Sequence, residues 1–230
     1  METDNAKVAV AEFVATFTLV FIGAGAVVLY NAGNLDLTGV ALAQGLALAV
    51  MVSITAHISG GLVNPAVAIS LWVTGKMPST KAVVCIVAEL LGAIAGALLL
   101  KALIPGELFD VGNGGIPALG DGTAVGTGIL IEATLTFFLV FAYFGTIVDE
   151  RGPFSKTAGM TIGLVAAFDI LAFAPYTGAA MNPARWFGPA VATGEFADSL
   201  VWIVGPIAGG IIAGVTYWAM FLRDREPATP

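Results

Sequence analysis

The sequence predicts an all-α integral membrane protein with six membrane-spanning helices and two re-entrant half-helices, arranged as two inverted repeats. Three observations lead to this fold class. The composition is too apolar for a soluble domain, six stretches are long enough to cross a bilayer, and one tripeptide occurs twice at the start of shorter apolar segments. We expect a single domain over residues 1–230, with the repeats at about 8–103 and 126–222.

The composition indicates a polytopic membrane protein. Hydrophobic residues make up 58% of the chain and charged residues 11%, and the mean hydropathy is +0.94. A soluble domain carries about 25% charged residues. Most of the six apolar stretches are close to the ~20 residues that a spanning helix needs. They are residues 8–30, 38–57, 82–103, 126–148, 158–175 and 199–222.

The repeated tripeptide, Asn64-Pro65-Ala66 and Asn182-Pro183-Ala184, predicts the start of two short helices. Asn is a strong N-cap, and Pro fits the first helical position, where no N–H is needed. The helices would extend to about Thr74 and Thr193, roughly ten residues or about 15 Å each. Because that is half of a hydrocarbon core of about 30 Å, two such helices from opposite leaflets would meet at the midplane.

An internal duplication supports that arrangement. Glu12–Phe21 matches Glu132–Phe141 at an offset of 120 residues, the two Asn-Pro-Ala copies are offset by 118, and Ile86 matches Ile203 at 117. Each repeat holds three spans and one half-helix. Because three is odd, the second repeat lies upside down relative to the first.

The basic residues predict the orientation. With both termini on one side, seven of the nine basic residues fall in the termini and even-numbered connections, which places both termini in the cytoplasm of a cell-membrane protein. These seven are Lys7, Lys76, Lys81, Arg151, Lys156, Arg223 and Arg225, against Lys101 and Arg185 on the other side.

The segments before each Asn predict a pore. Non-helical backbone at mid-membrane must line a cavity or be buried in protein, and residues 59–63 and 177–181 would expose a row of carbonyl oxygens. If each Asn oxygen caps its own helix, the NH2 groups of Asn64 and Asn182 face the lumen as donors. The positive ends of both half-helix dipoles converge there and oppose cations and protons.

Three charged residues fit such a pore. Arg185 follows Asn182 by three positions, and a charge within the membrane is costly unless it faces water, so we expect it at the outer end of the lumen. Glu12 and Glu132 occupy matching places in the two halves. We expect them to accept hydrogen bonds from free backbone N–H groups behind the half-helices.

These motifs resemble the major intrinsic protein family, the aquaporins and their relatives. The resemblance covers nearly the whole chain, including His57–Gly60, both Asn-Pro-Ala copies with Arg185 after the second, and Gly188-Pro189-Ala190. It implies an aquaporin-like fold and a passive, cofactor-free channel for water. It also implies a homotetramer in which each subunit holds its own pore.

The resemblance places a constriction at Gln44, Ile170, Ala179 and Arg185. Water-selective members usually have Phe and His at the first two positions, so this filter should be wider. Apart from Gln44 it is similar to a filter of plant vacuolar relatives implicated in water plus ammonia, urea or peroxide. Trp186 stands where the glycerol-channel branch usually has Asp, which makes glycerol a less favoured solute. Gln44 could cross the lumen or hydrogen-bond Arg185.

Three other function classes have less support, and one of them, a membrane-junction or adhesive role, has no positive support in the sequence. A secondary transporter also uses inverted repeats and broken helices, and Asp169 is its candidate coupling group. Glu89 and Asp169 must be neutral, paired or in water, and Asp169 could contact the pore or be buried and hydrogen-bonded. An enzyme is not expected, since the sequence has no nucleophile–base pair and no metal-ligand cluster. We therefore expect no catalytic residue, metal, cofactor or nucleic-acid partner. The partners are water, small neutral solutes and the lipid bilayer.

Overall fold

The computed structural model describes residues 4–152 and 155–225, and within these ranges every regular element is a helix. The nine α-helices in this part of the chain are α1 (Asn5–Asn31), α2 (Leu37–Thr55), α3 (Pro65–Val73), α4 (Ser79–Leu103), α5 (Gly106–Val111), α6 (Val125–Tyr143), α7 (Ala158–Thr177), α8 (Pro183–Thr193) and α9 (Leu200–Tyr217). Short 3₁₀ or π segments are Asn113–Gly115, Phe144–Val148, Ser155–Thr157, Trp218–Leu222 and Arg223–Arg225.

The predicted fold class is confirmed. Six helices are long and apolar enough to cross a membrane: α1, α2, α4, α6 with its continuation to Val148, α7, and α9 with its continuation to Leu222. The two half-helices are α3, with nine residues, and α8, with eleven. Both begin at the proline of the repeated tripeptide, with the preceding asparagine as N-cap.

Glycines let the spans cross closely in the same way in both halves. A Cβ atom on Gly92 of α4 would overlap the carbonyl oxygen of Phe13 in α1, and one on Gly209 of α9 would overlap that of Ala133 in α6. The two glycines are 117 residues apart and their partners 120, which are offsets of the duplication. Such contacts between small residues and backbone stabilise helix pairs in lipid, where packing drives association.

A charged cluster ties the connection between α6 and α7 to the end of the last span. Arg151 donates to the two oxygens of Asp149, from Nε at 2.6 Å and from Nη2 at 2.5 Å. The Tyr217 hydroxyl donates to Asp149 at 3.0 Å, and Arg151 Nη2 also reaches the carbonyl oxygen of Phe221. These hydrogen bonds, those from Arg151 first, lower the pKa of Asp149 to about 2.

The cluster predicts a pH-dependent contribution to stability. A carboxylate with a lowered pKa stabilises the fold above its unfolded pKa of about 4, and this contribution is lost as the pH falls towards the folded value. Asp149→Asn should therefore lower the thermal midpoint at neutral pH, and its deficit against wild type should shrink between about pH 4 and about pH 2. Thermal unfolding in detergent measures this, with the exposed Glu150→Gln as control. A deficit that is constant with pH would contradict the assignment.

Candidate functional site

Two extended segments lead to the half-helices and have strained backbones. Val63 and Met181, which directly precede Asn64 and Asn182, have φ angles of 55° and 53°, and Ala179 has 45°. Positive φ is unusual for any residue other than glycine and is an outlier for a β-branched one such as Val63. Such conformations persist only where surrounding contacts impose them, and they concentrate at functional sites.

Two buried carboxylates supply those contacts. Each accepts hydrogen bonds of 2.6–3.0 Å from two consecutive backbone N–H groups: Glu12 from Leu62 and Val63, and Glu132 from Ala180 and Met181. Thr177 also donates its hydroxyl to Glu132 at 2.7 Å. Both glutamates are completely buried. Because these N–H groups lie outside any helix, each carboxylate supplies the acceptor that a helical carbonyl oxygen would otherwise supply.

The asparagine oxygens cap the half-helices. Asn64 Oδ1 accepts from the N–H of Ala66 at 2.9 Å. Asn182 Oδ1 accepts from the N–H of Ala184 at 2.9 Å and from that of Arg185 at 3.3 Å. Asparagine oxygens thus take up N–H groups that have no partner within each helix. Pro65 and Pro183 occupy the first turn, where the missing N–H costs nothing.

The asparagine amide groups join the two half-helices. Asn64 Nδ2 donates to the carbonyl oxygen of Met181, and Asn182 Nδ2 donates to that of Val63, both at 2.8 Å. Both asparagines line the narrow cavity, and the reciprocal link between them was not predicted from the sequence. One hydrogen of each is used in this reciprocal link, because the strained residue before each Asn directs its carbonyl at the opposite amide. One hydrogen of each remains.

Glu89 and Asp169 differ from the symmetric carboxylates. Glu89 Oε1 accepts from the backbone N–H of Asn64 at 3.1 Å, its one hydrogen bond to a backbone group among the described residues, and its side chain also lies within hydrogen-bonding reach of the Glu12 carboxyl group. At the 117-residue offset its counterpart is Pro206, which has no such group. Asp169 is 1% exposed, and its Oδ2 has no partner within the described part of the chain. The face of α7 that lines the narrow cavity carries Ala166 and Ile170 instead.

A narrow cavity of about 30 Å³ brings the predicted pore residues together. It is lined by all six: Asn64, Asn182, Arg185, Gln44, Ile170 and Ala179. One water molecule needs a cavity volume of about 10–15 Å³, so this cavity has room for about two water molecules. Arg185 also lines a wider cavity of about 130 Å³, the vestibule, together with Tyr30, Asn31 and Pro117. Arg185 therefore stands where the vestibule narrows.

Gln44 lies against Arg185. Arg185 Nε donates to Gln44 Oε1 at 3.0 Å, which decides between the two positions that the sequence leaves open for this side chain. Gln44 Nε2 and Arg185 Nη1 are buried and have no hydrogen-bond partner among the described residues. Both side chains line the narrow cavity, but neighbouring atoms cover these two nitrogens.

The rest of the cavity wall was not predicted from the sequence. Tyr143 lines the cavity and donates its hydroxyl to the carbonyl oxygen of Gly60 at 2.7 Å. The apolar part of the wall is formed by Leu19, Leu48, Leu62, Val67, Leu139 and Ile162. Helical spacing could have identified several of these residues. Leu48 follows Gln44 by four positions, and Ile162 precedes Ile170 by eight, so each shares a helix face with a predicted filter residue.

Comparison with known proteins gives the family. The family model described as major intrinsic protein matches residues 1–217. The chain belongs to the major intrinsic protein family. It is 41% identical over 232 residues to Aquaporin TIP4-4 of Zea mays, covering 96% of this chain and 90% of that protein. It is 38% identical to Aquaporin-4 of Mus musculus, covering 96% of this chain and 69% of that one.

A solved structure shows the same fold. The aquaglyceroporin from Plasmodium falciparum superposes with a TM-score of 0.85 at 24% sequence identity, covering 95% of this chain and 97% of that one. With the family established, this multi-pass membrane protein is a passive channel for water and small solutes. The family consists of channels, so the hypothesis of a secondary transporter that uses Asp169 is not favoured.

The hydrogen bonds of the buried glutamates predict different responses to the same substitution. Glu12→Gln replaces one of two accepting oxygens with an NH2 group that faces a backbone N–H, and an unsatisfied buried donor costs about 1–3 kcal/mol. Glu89→Gln can keep its one bond to Asn64 through the amide oxygen. We expect the first variant to lose thermal stability and water permeability and the second to stay near wild type, in detergent unfolding and proteoliposome assays. Equal losses in both would contradict the unequal roles.

Proposed function

We propose that this channel conducts water and small neutral solutes, among them ammonia, urea and peroxide, while excluding ions and protons. Its constriction is formed by Gln44, Ile170, Ala179 and Arg185. The observation that supports this most directly is that these four residues, from four separate segments, line one narrow cavity. Arg185 alone of the four also lines the vestibule, which fits the outer limit of the constriction.

The constriction suits solutes that carry an accepting oxygen. Gln44 and Arg185 contribute side chains that carry N–H groups, and Ile170 and Ala179 contribute apolar surface. Water, urea and peroxide each present an oxygen that can accept from such donors, so a passing molecule replaces some of the hydrogen bonds it loses on leaving bulk water. The absence of Phe and His from the first two filter positions leaves more width. Glycerol remains the less favoured solute.

Two sources of positive potential support ion and proton exclusion. The N-terminal ends of α3 and α8 meet at Asn64 and Asn182, and each helix N-terminus carries a positive partial charge of about half a unit. Arg185 adds a fixed charge in the same cavity. Cations would therefore meet a barrier at the link and another at the constriction, whereas neutral molecules would not.

We further propose that the channel lies in the cell membrane with both termini in the cytoplasm, that it assembles as a homotetramer, and that it has no enzymatic activity. The seven-to-two distribution of basic residues supports this orientation. Mass measurement in detergent should give four copies of the 23.4 kDa chain. A monomer that retains full water permeability would contradict the tetramer and leave the pore assignment intact.

The proposed solute range predicts the outcome of a permeability series. In stopped-flow light scattering, proteoliposomes should shrink rapidly in an impermeant osmolyte. In separate runs with urea or glycerol as the osmolyte, they should reswell faster in urea, because the wide filter carries Gln44 and Arg185, whose N–H groups can donate to the urea oxygen. Empty liposomes are the control. Rapid shrinkage without urea entry would contradict the wide filter, and no acceleration over empty liposomes would contradict the channel.

Removal of the filter charge predicts a loss of selectivity. Arg185→Ala removes both a fixed positive charge and a donor from the narrow cavity, so proton leak through proteoliposomes should rise several-fold while water permeability is kept. Arg223→Ala, which removes an exposed arginine at the end of the last span, is the matched control. An unchanged proton leak in Arg185→Ala would contradict the proposed role of Arg185.

A further inference from the structure

Gly23 lies directly behind Gln44. It is a buried residue of α1, and a Cβ atom at this position would lie 2.9 Å from Gln44 Cγ and 3.2 Å from both Cδ and Oε1. Optimal separations between non-bonded carbon atoms are about 3.5–4.0 Å. The Gln44 side chain therefore occupies space that any residue other than glycine would need at position 23.

That space decides where Gln44 lies relative to the lumen. The oxygen that packs against Gly23 is the same Oε1 that accepts from Arg185 Nε at 3.0 Å. The open space that borders Gln44 is the narrow cavity, which its side chain lines. A side chain displaced from α1 would move into the cavity and would lose its hydrogen bond to Arg185.

Gly23 differs from the glycines that bring the spans together. Gly92 and Gly96 of α4 face the backbone of α1, at the carbonyl oxygens of Phe13 and Phe17, so a methyl group there would separate two helices. The nearest atoms to a Cβ on Gly23 all belong to the side chain of Gln44. Because that side chain is flexible, alanine at position 23 can be accommodated by moving Gln44 without moving a helix.

We propose that Gly23 is a positioning residue that sets the solute-size limit of the channel. Because Gly23 has no side chain, Gln44 can occupy the space beside Arg185 and stay out of the lumen. This inference rests on the proposed constriction. The lumen is then kept wide by the residue behind the filter as well as by the filter residues themselves. The solutes affected are neutral molecules larger than water, since they need the width that Gln44 would otherwise occupy.

The test compares two alanine substitutions on the same helix. Gly23→Ala should push Gln44 into the lumen, whereas Gly25→Ala meets only the end of Leu100, at 3.4 Å, which is an ordinary contact. Permeabilities to water, ammonia, urea and glycerol are measured in proteoliposomes. In Gly23→Ala the permeability to the largest molecule that wild type conducts should fall several-fold, and smaller molecules should be affected less. Gly25→Ala should match wild type. Equal permeabilities in Gly23→Ala and Gly25→Ala would overturn the inference.

A double variant separates positioning from general packing. If Gly23 acts through Gln44, the variant Gly23→Ala with Gln44→Ala should regain the lost permeability and match Gln44→Ala alone. A double variant that keeps the loss would show that the methyl group disturbs helix packing and would overturn the inference. Gln44→Ala alone tests the underlying constriction. If Gln44→Ala changes no permeability, the proposed constriction is wrong. If Gln44→Ala changes permeability and Gly23→Ala does not, only the proposed role of Gly23 is wrong.

Discussion

The pore depends on the hydrogen bonds that backbone N–H groups in mid-membrane donate to two buried carboxylates. An unsatisfied backbone group in hydrocarbon costs several kcal/mol, so a broken helix needs a local acceptor. Glu12 and Glu132 each accept two consecutive N–H groups, and they draw these donors to one side of the extended segments. The carbonyl oxygens of Val63 and Met181 then reach the opposite asparagines, and the tips of the half-helices meet.

The duplication provides a symmetric frame, and the lining of the narrow cavity departs from it. The glutamates, the capping asparagines and the glycine crossings recur in both halves. At the 118-residue offset, however, the counterpart of Arg185 is Val67, and both line the narrow cavity. The cavity therefore receives a fixed charge from α8 and an aliphatic side chain from the matching place in α3.

The sequence predicts well those features that depend on neighbouring residues. Asn before Pro predicts the starts of α3 and α8 because capping involves only neighbouring residues, and the spans follow from the length of apolar stretches. The link from Asn64 to Met181 is different, since it joins residues 117 apart and depends on how two helix tips approach. The bond from Asn64 to Glu89 was missed for the same reason. Its donor and acceptor become neighbours only when α4 packs beside α3.

In the filter that we propose, the four side chains alone do not determine the width of the lumen. Ile170 and Ala179 have few ways to rearrange, so their contribution to the lumen follows from their size. Gln44 is long and flexible, and the same residue can obstruct the lumen or lie beside Arg185 and leave it open. Which of these occurs depends on the space available behind it in α1, where Gly23 has no side chain. The solute range of such a channel therefore depends on the packing behind each flexible filter side chain, because that packing decides how much of the side chain enters the pore.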